Sequence, residues 1–316
     1  MPASDDTVTR LSARAPGIAG SPWRGRTVVA VAGAVVTVWA GTPIVTKIAV
    51  MHVDAMVVGA LRTVAVAALL LPFLALAGRR VARPAGRADW RLLAVSGIGG
   101  FVGFPLLFSL GMQHTSASHA ALITAALPIF TGVFAYALAR RLPPSTWWLG
   151  VTLAMVGEAA VVGLRFGADA AEGATLTGDL MVLGACILAA AGYVAGGRLS
   201  LRIGAWTSTL WSISLGGVVL APVLLWLAPR IAWSAIDPAG WLAIGYLAAL
   251  STWLAYLGWY WALAAGGIAR VGTIQFAQPV ISLLLAIPIL GEVLTPKLAL
   301  AAAAIIGGVF IARRRV

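Results

Sequence analysis

From residue 27 onward the chain consists of long apolar runs separated by short polar breaks. A helix rises 1.5 Å per residue, so a hydrocarbon layer of roughly 30 Å needs about 20 mostly apolar residues to cross it. Ten segments meet that length: 27–50, 55–78, 92–112, 118–139, 146–165, 177–198, 205–228, 239–263, 270–290 and 296–312. The runs lack the period-two alternation that strands of a membrane β-barrel require. The pattern predicts an all-α polytopic membrane protein with ten transmembrane helices. Residues 1–26 are polar, with Pro, Gly, Ser and four Arg, and read as a disordered cytoplasmic tail and not as a signal peptide.

The pattern also recurs. With an offset of 151 residues and no gap, Pro128 aligns with Pro279, Gly41 with Gly192, Trp90 with Trp241 and Gly157 with Gly308. Lys47 falls on Arg198 and Thr131 on Ser282. Apolar coincidences mean little in a chain that is 61% hydrophobic, so these rarer residue types carry the repeat. Each copy holds five spans, and an odd number inserts the second copy upside down. The expected organisation is a tail (1–26), a first five-helix repeat (27–165), an outer linker (166–176) and a second, inverted five-helix repeat (177–316). Such inversion predicts alternating access around a site near the bilayer midplane.

Composition narrows the function classes. A mean hydropathy of +0.97 with 10% charged residues excludes a water-soluble domain of this length. The net charge of +12 would suggest nucleic acid in a soluble protein, but here the Arg residues occupy the breaks between apolar runs, and no nucleic-acid partner is expected. With the N-terminus inside, seventeen Lys and Arg fall on the inner face. Three, Arg165, Arg230 and Lys297, fall on the outer face. This asymmetry places both termini in the cytoplasm of a cell-membrane protein. The single Cys186 lies mid-span as a packing residue, and three His with one Cys provide no metal-ligand spacing. No metal and no cofactor are expected; the expected partners are a small-molecule substrate and the lipid bilayer, and a homodimer is left open.

Several residues together resemble the EamA domains of the drug/metabolite transporter superfamily over nearly the whole chain after residue 27. They are Trp39-Ala40-Gly41 with Lys47 in the first span, Arg62 in the second, and Pro128 and Pro279 in the fourth and ninth. The run Gln278-Pro279-Val280 through Leu290-Gly291-Glu292 and Leu294-Thr295 is the most specific. The first copy departs from the pattern, with Arg140-Arg141 where the second has Gly291-Glu292. The resemblance implies a secondary transporter, with spans one, three, four, six, eight and nine lining a central cavity. It implies efflux or exchange of an amino-acid-like metabolite or a drug, with protons as a candidate driving ion. An intramembrane enzyme is the alternative, but the spans hold few ionisable groups: Lys47, Arg62, Glu158 and the borderline Asp179. A channel would call for a ring of like residues or a selectivity loop, and neither is evident.

Candidate site residues follow from polarity inside the spans. Pro128 and Pro279 each remove an amide and displace the carbonyl four residues earlier, those of Thr124 and Gln275, which a wet cavity or the polar neighbours Thr131, Ser282 and Gln278 would satisfy. Trp39, Thr42 and its repeat partner Tyr193 lie in spans one and six. Trp253, Tyr256 and Tyr260 are spaced to share one α-helical face. Gly99 with Gly103, and Gly192 with Gly196, have the spacing that lets membrane helices approach closely. His114 and His119 read as loop histidines, and Glu292 and Asp179 as helix N-terminal caps. Arg62 lies roughly 10 Å inside its outer interface at 1.5 Å per residue. Glu158 lies at a similar depth and is the expected counter-ion of Arg62, with Lys47 as the rival cation for Glu158.

Overall fold

The computed structural model describes residues 23–77, 81–115, 120, 123–124, 126–169, 175–278, 281 and 296–313. Every regular element among the described residues is helical, as the absence of water from a hydrocarbon layer demands of any open chain. Six helical stretches have the length and apolarity to cross a membrane: Gly25–His52, Ala55–Leu76, Gly86–His114, Leu176–Ile203, Ala205–Arg230 and Pro238–Gly266. A shorter apolar helix spans Leu127–Leu138. Bulky side chains such as Leu69, Leu76, Leu225 and Leu242 stand 70–88% exposed on the outside, as a lipid-facing surface requires.

Several of the expected spans are not uninterrupted α-helices. The first divides into α1 (Trp23–Ala40) and α2 (Thr42–His52) around Gly41, because Pro43 in the first turn of α2 has no amide for the ladder. The second is α3 (Ala55–Ala77), with Pro72 inside it. The third runs as α4 (Gly86–Ser96), a π-helical segment Gly97–Gly103 and α5 (Phe104–His114). Of the fourth, residues 120 and 123–124 are helical, a turn falls at Ala126, and α6 (Leu127–Leu138) follows with Pro128 in its first turn. Then come α7 (Ser145–Asp169), α8 (Leu176–Ile203) and α9 (Ala205–Leu227). The eighth is α10 (Pro238–Gly245), a second π segment Tyr246–Leu254 and α11 (Ala255–Gly266). The ninth opens as α12 (Ile268–Gly272) and tightens into a 3-10 turn, Thr273–Ala277. The last described helix is α13 (Pro296–Arg313).

Two of these irregularities recur in the other half, whereas the break at Gly41 does not, since α8 runs unbroken through Gly192. An offset of 151 carries Gly103, where the first π segment ends, onto Leu254, where the second ends. The same offset carries the turn at Ala126 onto Ala277, the end of the 3-10 turn.

The helix α8 is central, packing against α4, α5, α6, α9 and α11, while α1 lies along α11 and α7 along α13. Glycine makes the central crossing close. A Cβ on Gly99 would sit 2.5 Å from the carbonyl oxygen of Leu188 and 3.3 Å from the amide nitrogen of Gly192. A Cβ on Gly196 would enter the ring of Tyr260. The small-residue spacing read from the sequence therefore does what it was expected to do.

Candidate functional site

The site is built around the break in the first span. Pro43 cannot donate to the carbonyl of Trp39 four residues earlier, and that oxygen is taken instead by the side-chain amide of Gln278, at 3.2 Å. One residue earlier, the Val38 carbonyl accepts from the Gly41 amide at 3.2 Å and from the hydroxyl of Tyr246. Only glycine at position 41 admits that hydroxyl, because a Cβ there would lie 2.8 Å from it. The acceptor freed by Pro43 and its neighbour at the break thus both receive side chains from the eighth and ninth spans, which ties the break to the other half of the chain.

Beside the break lies a narrow niche, partly open to solvent. Its polar wall includes Thr42, Thr124, Gln275 and Gln278, and its apolar wall includes Pro43, Phe104, Phe108 and Leu127. Trp39 and Tyr193 close one side as stacked rings, with centroids 5.3 Å apart and planes within 10°. The Trp39 indole is held in place by donating to the carbonyl of Ser251 at 3.0 Å. Behind the stack, Trp259 and Tyr256 meet Trp39 edge-on at 5.3 and 5.4 Å. Gln275 is 4% exposed, and its side-chain oxygen lacks a hydrogen-bond partner among the described residues.

The second polar cluster centres on Arg62, which is 1% exposed. Its Nε donates to Thr252 Oγ1 at 2.9 Å and its Nη2 to Ser251 Oγ at 3.0 Å. Ser251 Oγ in turn lies 3.1 Å from Thr42 Oγ1, on the niche wall. The guanidinium carbon stands 5.9 Å from the centroid of Phe104, and Nη1 lacks a partner among the described residues. The hydroxyls of Ser251 and Thr252 thus occupy the place in which a carboxylate was expected. The backbone of Glu158 lies in α7, but its side chain is outside the described residues, so its pairing with Arg62 stands as an expectation only.

Other expected residues fall as follows. Pro128 sits in the first turn of α6, directly after the turn at Ala126 that separates it from the helical residues 123–124. Thr131 donates to Leu127 and not to Thr124. The Gln275 carbonyl, expected to be freed by Pro279, accepts the amide of Gln278 within the 3-10 turn. Pro279, Ser282, Glu292 and His119 lie outside the described residues.

Tyr256 and Tyr260 are buried behind the niche. Tyr256 donates to the Gly100 carbonyl at 3.0 Å, inside the first π segment, where the widened turn leaves acceptors poorly served. Tyr260 bonds to Ser96 Oγ at 2.8 Å and to the Gly192 carbonyl at 3.3 Å. Trp253, at the end of the second π segment, is half-buried and packs against the cluster that holds both tyrosines.

Lys47, the rival partner for Glu158, donates its Nζ to the carbonyls of Met112 and Thr115 at 2.8 and 3.0 Å, at the end of α5. The N-cap of α8 is Thr175, not Asp179; Asp179 accepts from Thr115 Oγ1 at 2.5 Å. Sequence reading passed over Tyr246, Ser251 and Thr252, since single hydroxyls in an apolar run carry no periodic signal. Pro43 carried one, a mid-span proline, and had the same claim to notice as Pro128.

Known proteins place this architecture in context. The family model described as "EamA-like transporter family" matches twice, over residues 26–163 and 176–314. A Bacillus subtilis (strain 168) protein named "Uncharacterized transporter YdeK" is 33% identical over 257 residues, covering 81% of this chain and 86% of its own. An Escherichia coli (strain K12) protein named "Uncharacterized inner membrane transporter YedA" is 26% identical over 270 residues, covering 82% of this chain and 81% of its own. A solved crystal structure superposes with a TM-score of 0.71 at 19% identity, over 91% of this chain and 96% of the other, and this shows a shared fold alone.

Proposed function

The chain belongs to the EamA-like transporter family and is a multi-pass membrane transporter, and from that premise we propose that it carries a small solute through the niche beside the Gly41 break by alternating access. The observation that carries this reading is the pairing of helix irregularities. Non-α backbone recurs at repeat-related positions in spans three and eight and in spans four and nine. Broken helices in corresponding places of two halves are how transporters build a midplane site while keeping backbone groups satisfied. In this reading ten spans form two inverted repeats, 27–165 and 177–316, after a cytoplasmic tail, with both termini inside. Trp39 and Tyr193 offer ring faces to the solute; Thr42, Gln275 and Gln278 offer hydrogen bonds. Transport is efflux or exchange of an amino-acid-like or drug-like molecule.

The test is a resistance screen on cells overproducing the protein against a panel of toxic amino-acid analogues and cationic drugs. Growth rescue by the native chain, lost in Trp39→Ala at an equal amount in the membrane, is the expected result. Rescue that survives both Trp39→Ala and Gln275→Ala would remove the niche as the route.

A further inference from the structure

Arg62 carries a charge that the described residues do not neutralise. Asp54 caps α3 through the amides of Met56 and Val57, Asp89 pairs with Arg202, and Asp237 holds His52 and the start of α10. Arg62 instead meets two hydroxyls and the face of Phe104, while Nη1 is left without a partner among the described residues. A guanidinium held in hydrocarbon without a counter-ion is costly, and such groups face solute pathways.

The hydroxyls around it point one way. Arg62 has only donors, so Ser251 Oγ accepts from Nη2. Ser251 Oγ and Thr42 Oγ1 lie 3.1 Å apart and either can donate; the relay takes the arrangement in which the Ser251 proton goes to Thr42 Oγ1. Thr42, on the niche wall, is left with its own O–H to offer inward. The chain Arg62–Ser251–Thr42 therefore ends in a hydroxyl donor backed by a buried positive charge, which is complementary to an oxyanion and repels an ammonium group.

We propose that Arg62, acting through Ser251 and Thr42, makes this end of the niche a carboxylate site, so that the solute carried is one bearing a carboxylate group. This inference rests on the niche being the transport site. In it Arg62 and Ser251 are positioning residues, and Thr42 touches the solute.

The experiment uses the full-length protein in detergent and three isosteric probes, isovalerate, isovaleramide and isoamylamine, with thermal stabilisation and competition as readouts. Isovalerate should bind at least tenfold tighter than the other two. Thr42→Val, which leaves Arg62 in place, should lower isovalerate affinity about tenfold and leave isovaleramide affinity unchanged. Arg62→Gln should abolish the preference, and if that variant does not fold, Arg62→Lys should keep the preference with weaker binding. Equal binding of all three probes overturns the carboxylate site, as does tighter binding of the amine, a Thr42→Val loss shared by the amide, or no binding of any probe. Binding of any probe that Trp39→Ala abolishes keeps the niche even when the carboxylate preference fails; binding that Trp39→Ala leaves untouched sinks the niche itself.

Discussion

Pro43 and Gln278 stand 235 residues apart in sequence, yet they are two halves of one hydrogen-bonding solution, and that coupling can be measured. Replacing Gln278 by Leu removes the 3.2 Å donor from the Trp39 carbonyl. Trp39 is 6% exposed, so water cannot readily replace the lost donor. A buried acceptor left unsatisfied costs about 1–3 kcal/mol. Pro43→Ala restores a backbone amide in register with that same carbonyl. Gln278→Leu should then cost about 1–3 kcal/mol in the native background and about 1–2 kcal/mol less in the Pro43→Ala background. Thermal unfolding of the four proteins in one detergent measures the cycle, at roughly 2–4 °C per kcal/mol. Losses that add to within about 0.5 kcal/mol would refute the shared acceptor. A coupled result shows the break being held open from the ninth span, and the Pro43→Ala single variant should then transport more slowly, because a continuous first span narrows the niche.

The remaining predictions address packing, a helix end and topology. Gly99→Ala forces a methyl against the backbone of Leu188 and Gly192, which cannot swing aside, and should cost about 1–3 kcal/mol in unfolding, whereas Gly184→Ala, whose Cβ meets only Leu107 Cδ1 at 3.6 Å, should be near neutral; equal midpoints would refute the close crossing. Lys47→Met strips the Met112 and Thr115 carbonyls of a charged donor, so faster hydrogen exchange or proteolysis around residues 110–115 is expected, and unchanged protection would show the bond to be idle. With Cys186 fully buried, cysteines introduced as Arg83→Cys and Arg314→Cys should label only from the cytoplasm and Ala170→Cys only from outside; outside labelling of Arg314→Cys would end the even-span topology.

Apolar length determined the helical class, the membrane setting and the approximate position of the six helical stretches long enough to cross a bilayer, because a bilayer reads little beyond hydrophobicity and length. Polarity inside the apolar runs also singled out Trp39, Thr42, Thr124, Tyr193, Gln275 and Gln278, six side chains from four apolar segments that meet on one niche. Tertiary structure decided where the α-helical ladder gives way, since a π turn or a break is stable only where another span supplies the missing partner, as Tyr256 does for Gly100 and Gln278 for Trp39. It likewise placed Arg62 among hydroxyls and seated Lys47 on the end of α5. Partner choice for a buried charge depends on which spans touch, and hydrophobic periodicity is the same whichever neighbours a helix finds.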